Sequence, residues 1–156
     1  MKQVRFNHPD KQGSTLEGIL HLPHGDGPFP GAVVCHPHPQ FGGSMAVPLI
    51  VALARGLAEA GFAALRFNFR GVGASQGSFD EGVGEVQDVE AALAFLAAQP
   101  SVQATGLAVV GYSFGAWVGL EAACDTPSVF AAAAVALPMW RMPEGWLGGC
   151  AIPKLF

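Results

Sequence analysis

Charge is scarce in this sequence. Of its 156 residues only 13% are Asp, Glu, Lys or Arg, about half the roughly 25% of an ordinary soluble domain. A disordered chain, a coiled coil and a charge-coated helical bundle are excluded on that ground. Positive charge is scarcest: eight Lys plus Arg stand against twelve Asp plus Glu, for a net charge of −4. No basic stripe exists to follow a phosphate backbone, so no nucleic-acid partner is expected. Cysteine is sparse too. Cys35, Cys124 and Cys150 are odd in number and widely spaced, with no CxxC. Neither a zinc site nor a disulfide framework is expected, and a reducing compartment fits. Long hydrophobic runs are missing. The most apolar uncharged stretch, residues 126–140, contains prolines and falls short of the ~18–20 residues a spanning helix needs. Met1 to Asn7 carries no signal-peptide run. No membrane partner and a cytoplasmic location are the expectations.

Apolar residues (51%), 21 Gly and 12 Pro are what the chain does have, enough for one core with many tight turns. Val4–Asn7 and Thr15–His21, with a turn at Lys11-Gln12-Gly13, read as a hairpin. Ala32–Cys35 is a short apolar run, as in a strand buried on both faces. A helix over about 45–60 follows, capped by Ser44 and carrying Leu49, Leu53 and Leu57 on one stripe. Next come a strand at Phe62–Phe67, a helix at 85–98 facing Val86, Val89, Leu93 and Leu96 inward, and a strand at Gly106–Val110. A helix at 113–124 and a strand at Val129–Leu137 complete the alternation. Right-handed crossovers make this one α/β domain over residues 1–156: a mostly parallel sheet, helices on both faces, behind an antiparallel hairpin. Ile152–Phe156 resembles the entry into one more strand. The sheet edge beside Val129–Leu137 is therefore expected to be poorly covered, and either self-association or a partner chain that covers this edge is expected.

Two segments match G-x-S-x-G, centred on Ser75 and Ser113. A nucleophile elbow needs a buried strand before the serine and a helix after it. Ser113 has both, with Gly111 and Gly115 leaving room for the sharp turn; Ser75 is followed by no helix and is read as a loop serine. The His36-Pro37-His38-Pro39 loop follows the Ala32–Cys35 strand and so lies at the same carboxyl edge as Ser113. Between its prolines only His38 carries a backbone N–H. Acyl transfer wants two such donors, and the second is the N–H of Phe114. His36 is assigned to holding the loop through its ring nitrogens. Two histidines with no third ligand do not make a metal site, and none is expected. The glycines after Arg70 fail the dinucleotide fingerprint on spacing, so no cofactor is expected and Arg70 is read as bracing a tight loop. Trp117 and Leu137-Pro138-Met139-Trp140 are candidates for an acyl pocket or simply for core.

The HPHP-x-FGGSM loop, the RFNFRGVG-x-S-x-G stretch and the GYSFG elbow, in this order, resemble small serine hydrolases of the α/β-hydrolase superfamily. They are most similar to the group related to dienelactone hydrolase, over about residues 2–156. The resemblance implies Ser113 as nucleophile, with His38 and Phe114 as oxyanion-hole donors. It also implies a cis peptide before Pro39, as in the HGxP variant of that loop. One departure stands out. The superfamily triad runs Ser, then Asp or Glu, then His, yet His38 is the last histidine here. Glu144 sits where some relatives place the acid, with no histidine to orient. Two readings follow: a hydrolase of small ester, thioester or related acyl substrates whose last strands and helices lie beyond these residues, or an inactive remnant that keeps the fold.

Overall fold

Side chains alternate across a strand, so a strand with a helix on each face must be apolar on both. Ala32 to Cys35 meets that demand, and all four residues are fully buried. In the computed structural model residues 1–8 and 14–156 are described. β1 (Lys2–Asn7) and β2 (Thr15–His21) pair antiparallel, Lys2 opposite Leu20 and Asn7 opposite Thr15. The expected turn at Lys11-Gln12-Gly13 lies outside the described residues. The chain continues through β3 (Phe29–Cys35), α1 (Pro48–Glu59), β4 (Ala63–Phe67), α2 (Val83–Ala97), β5 (Val102–Tyr112), α3 (Phe114–Asp125), β6 (Val129–Val135), the single-turn α4 (Trp146–Gly149) and β7 (Lys154–Leu155). The sheet order is β1-β2-β4-β3-β5-β6-β7. β3 to β7 run parallel to one another, and β2 joins β4 antiparallel.

The period-two alternation divides the core. Val33, Leu65 and Val109 face α2 and α3 in the larger cluster, while Val34 and Ala64 meet Ile50 and Ala54 of α1 on the other face. The chain reverses its progress along the sheet at β3: it passes to β4 on one side, then returns across β3 to β5 on the other. The loops after β3 and β5 therefore leave neighbouring strand ends, a crevice that parallel sheets use for ligands.

Three expectations are corrected. Ser44 does not cap α1: the cap residue is Val47, and Pro48 takes the first helical position, where its missing N–H costs nothing. The Ser44 hydroxyl accepts from Ala46 N–H (3.3 Å) and its carbonyl from Val47 N–H (3.2 Å), a turn ahead of the helix. With that start Ile50 and Ala54 face the sheet, and Leu49 stays exposed. Second, the cis peptide among the described residues is Gly27–Pro28, not the bond before Pro39. His38 and Pro39 instead lead into a 3-10 turn, Pro39–Phe41, whose backbone the His38 side chain caps.

Third, Cys124 and Cys150 form a disulfide across a Cα separation of 5.3 Å. Their spacing of 26 residues hid the pairing, because β6 carries the chain away from α3 and α4 brings it back. Closing such a loop removes about 3 kcal/mol of denatured-state entropy in the chain-entropy picture. The inference of a reducing compartment from the cysteines loses its premise. No helix among the described residues is long and apolar enough to cross a membrane. Beyond β6, β7 adds to the sheet through Ala132–Lys154 and Ala133–Leu155. Lys154 Nζ donates to the carbonyls of Cys150 and Ile152. Phe130, Val135, Leu155 and Phe156 remain exposed along this edge.

Candidate active site

Ser113 stands between the end of β5 and the first turn of α3 with φ 55° and ψ −116°. A serine there is strained, by about 1–3 kcal/mol, and persists only where the surroundings impose it. Two glycines impose it. A Cβ at Gly115 would overlap the carbonyl oxygens of Cys35 and His36, and one at Gly111 would overlap the backbone of Gly115 and Ala116. α3 thus starts in backbone contact with the end of β3. Ser113 N–H donates to Val135 O (2.9 Å), tying the elbow to β6 as well. The amides of His38 and Phe114 have no protein acceptor among the described residues. For Phe114 this follows from its place in the first helical turn, where amides lack an intrahelical partner.

His36 is fully buried, and both ring nitrogens are engaged. Nδ1 lies 2.6 Å from Pro37 O and Nε2 lies 3.1 Å from Phe69 N. A carbonyl can only accept and an amide can only donate, so the ring is neutral, with its proton on Nδ1. Burial pushes its pKa down to about 4 from the ordinary 6.5, although the bond to Pro37 opposes the shift. The folded state therefore binds fewer protons than the unfolded chain between those values. Stability is complete above pH 6.5 and falls by about 3 kcal/mol toward pH 4 on this account. His21, which accepts from Arg66 Nε (3.0 Å), is lowered to about 4 mainly by burial and then by the Arg66 charge, adding to the slope. Urea midpoints measured between pH 7 and 4.5 should fall steadily, and a His36→Gln chain should fall less. Midpoints flat over that range would contradict the assignment.

Arg70 braces its loop through α2. Its Nη2 donates to Asp88 Oδ1 (2.8 Å), Nε to both carboxylate oxygens (3.1 Å), and its own amide to Asp88 Oδ2 (2.9 Å). Arg70 Nη1 also lies 3.9 Å from Asp80 Oδ2. Buried Glu85 accepts from the amides of Asp80 (2.9 Å) and Gly82 (2.8 Å). Together they place Phe79, whose ring lies 5.0 Å from that of His38 and 5.8 Å from that of Phe114. Asp88 and Glu85 were not singled out in the sequence. The available signal was a carboxylate at 85 and another at 88 on the helix face that carries Val89, Ala92 and Leu96. Ser75 is structural, as expected: its hydroxyl donates to Asn68 O (2.7 Å) and accepts from Glu17 N–H (3.0 Å).

The cleft above the elbow has a volume of about 140 Å³ and is lined by His38, Ser113, Phe114, Trp117, Trp140 and Arg141 among others. That is small beside the ~300–1,000 Å³ of drug-sized pockets. Larger grooves elsewhere, such as one of about 280 Å³ along Gln3, Arg5 and Glu17, contain no nucleophile. His38 Nδ1 accepts from Gln40 N–H (3.2 Å), so the neutral ring carries its proton on Nε2. Glu144 is exposed and does not line the cleft. Among the described residues no group of three His, Cys, Asp or Glu side chains is placed to hold a metal.

A strained serine on a strand–helix turn, set at the reversal point of a largely parallel sheet, defines an α/β hydrolase. The chain belongs to the X-Pro dipeptidyl-peptidase (S15) family, whose signature matches residues 3–154. An uncharacterized protein of Rickettsia prowazekii is 35% identical over 98% of this chain, which spans 63% of that relative's length. A protein of unknown function from Agrobacterium tumefaciens, classed with the α/β hydrolases, superposes with TM-score 0.87 at 34% identity, covering 98% of this chain and 68% of that one. An α/β serine hydrolase homologue from Coxiella burnetii gives 0.83 at 34% identity, over 98% and 71%. A lidless serine hydrolase from Xanthomonas campestris gives 0.77 at 36% identity, over 91% and 63%.

Proposed function

We propose that Ser113 is the nucleophile of a hydrolase acting on small ester, thioester or related acyl substrates. The observation that carries this reading is the left-handed backbone of Ser113, imposed by Gly111 and Gly115 where a cleft opens. Ser113 Oγ attacks the acyl carbonyl and its proton passes to a base. The amides of His38 and Phe114 receive the oxyanion, and collapse of the tetrahedral intermediate expels the alcohol or thiol with a proton. Water then releases the acid and frees the serine. The small cleft favours a short acyl group. Peptides with a free N-terminal amine, the substrate class named for the S15 family, suit the cleft less well, because Arg141 is the charged side chain at its wall.

Within residues 1–156 the step that lacks a residue is proton removal. His38 is the last histidine, and its neutral ring offers Nε2–H rather than a lone pair. A positioned general base contributes about 10²–10⁴-fold, so ester turnover by this chain should lie near background. A fluorophosphonate probe should still mark the chain slowly, added imidazole should quicken the marking by about tenfold or more, and Ser113→Ala should abolish it. A folded chain that stays unmarked even with imidazole would overturn the reading in favour of a binding remnant.

A further inference from the structure

Among the described residues, Arg141 is the only Asp, Glu, Lys or Arg lining the Ser113 cleft. In a chain with eight basic residues and a net charge of −4, a cation at that place is not a general property of the surface. Its position is set by two indoles. The guanidinium carbon lies 4.7 Å from the ring centre of Trp140 and 5.2 Å from that of Trp117. Trp117 is itself fixed, edge-on to Phe114 at 5.6 Å and packed over Gly82, where a Cβ would strike the ring. A guanidinium carries five N–H donors, and contact with an indole does not satisfy them as a carboxylate would. Among the described residues no carboxylate or carbonyl accepts from the Arg141 side chain. The arginine thus brings a planar set of donors, held beside two indoles, to the wall of a largely aromatic cleft. The twelve-residue α3 begins at Phe114 in the same cleft and adds the positive end of its dipole.

We propose that Arg141 is a specificity-determining residue that selects acyl esters carrying a carboxylate on the acyl chain, that is, half-esters of short dicarboxylic acids. A carboxylate matches the guanidinium fork with two parallel charge-assisted hydrogen bonds. The neutral diester of the same length fills the same volume and lacks that match. The inference rests on the Ser113 cleft being the acyl site, and it adds to that reading the charge of the substrate.

The test is equilibrium binding, read by tryptophan fluorescence in a Ser113→Ala chain, of monomethyl glutarate against dimethyl glutarate. The half-ester should bind about tenfold more tightly. Arg141→Met should erase the difference between the two esters, and Arg141→Lys should keep only part of it, because an ammonium supplies charge without the fork. Arg141 is exposed, and far-UV circular dichroism checks that both variants keep the fold. Equal affinities for the two esters, or a preference that survives Arg141→Met, would overturn the proposal. Binding is measured without the nucleophile, so failure of Ser113 to take the fluorophosphonate would count against the catalytic reading alone.

Discussion

Replacing Gly115 by alanine is expected to cost about 3–4 kcal/mol and to abolish modification of Ser113, although a single methyl group is added. The methyl would meet the carbonyl oxygens of Cys35 and His36, which are backbone atoms at the end of a buried strand and cannot swing away. Relief requires α3 to withdraw from β3, and that withdrawal moves Ser113 and the Phe114 amide together. Gly56 is the control. It lies within α1, and a Cβ there meets nothing within 4 Å, so Gly56→Ala should stabilise the chain by about 0.5–1 kcal/mol through helix propensity. Thermal melts and probe labelling read both effects. A Gly115→Ala chain that melts with the parent and still labels would show that the elbow does not depend on this contact.

Breaking the buried pair between Arg70 and Asp88 should be comparably severe. The two side chains are 4% and 0% exposed, so removing either partner takes the nearest counterion from a charge inside the protein. Asp88→Ala or Arg70→Met is expected to lose about 3–5 kcal/mol in urea unfolding. The double variant Arg70→Met with Asp88→Leu should lose clearly less than the sum, because neither charge of the pair then remains buried. Strictly additive losses would mean that the two groups are braced independently. The functional consequence follows from position: Arg70 and Glu85 hold the loop that sets Phe79 against His38 and Phe114, so loosening it should slow labelling of Ser113 before the fold is lost.

The strands and helices were legible because each is short, apolar at the right period and bounded by glycine or proline. The bounds of α2, α3 and β6 were foreseen within about two residues. α1 was misplaced at its start because Ser44 and Pro48 are both valid opening signals, and local sequence does not say which one wins. The candidate site was legible where its residues are contiguous in the chain. Gly111 to Gly115 and His36 to Pro39 are each a single loop, and a parallel sheet brings such loops to one edge. Asp88, Arg141 and the Cys124–Cys150 bond were not legible, since each gains its meaning from a residue 18 or more positions away.

The sequence by itself determined the fold class, the strand–turn–helix setting that separates Ser113 from Ser75, and the hold of His36 on its loop. These depend on local backbone demands: a buried strand before the serine, a helix after it, and glycines beside it. Only the tertiary structure decided what surrounds that serine. Packing α2 under the sheet buried Asp88 and Glu85, and the return of the chain after β6 joined Cys150 to Cys124. The same return placed Arg141 between Trp117 and Trp140. Local propensity acts over a few residues, whereas these contacts exist only once the layers close, and there burial and charge pairing take over from pattern.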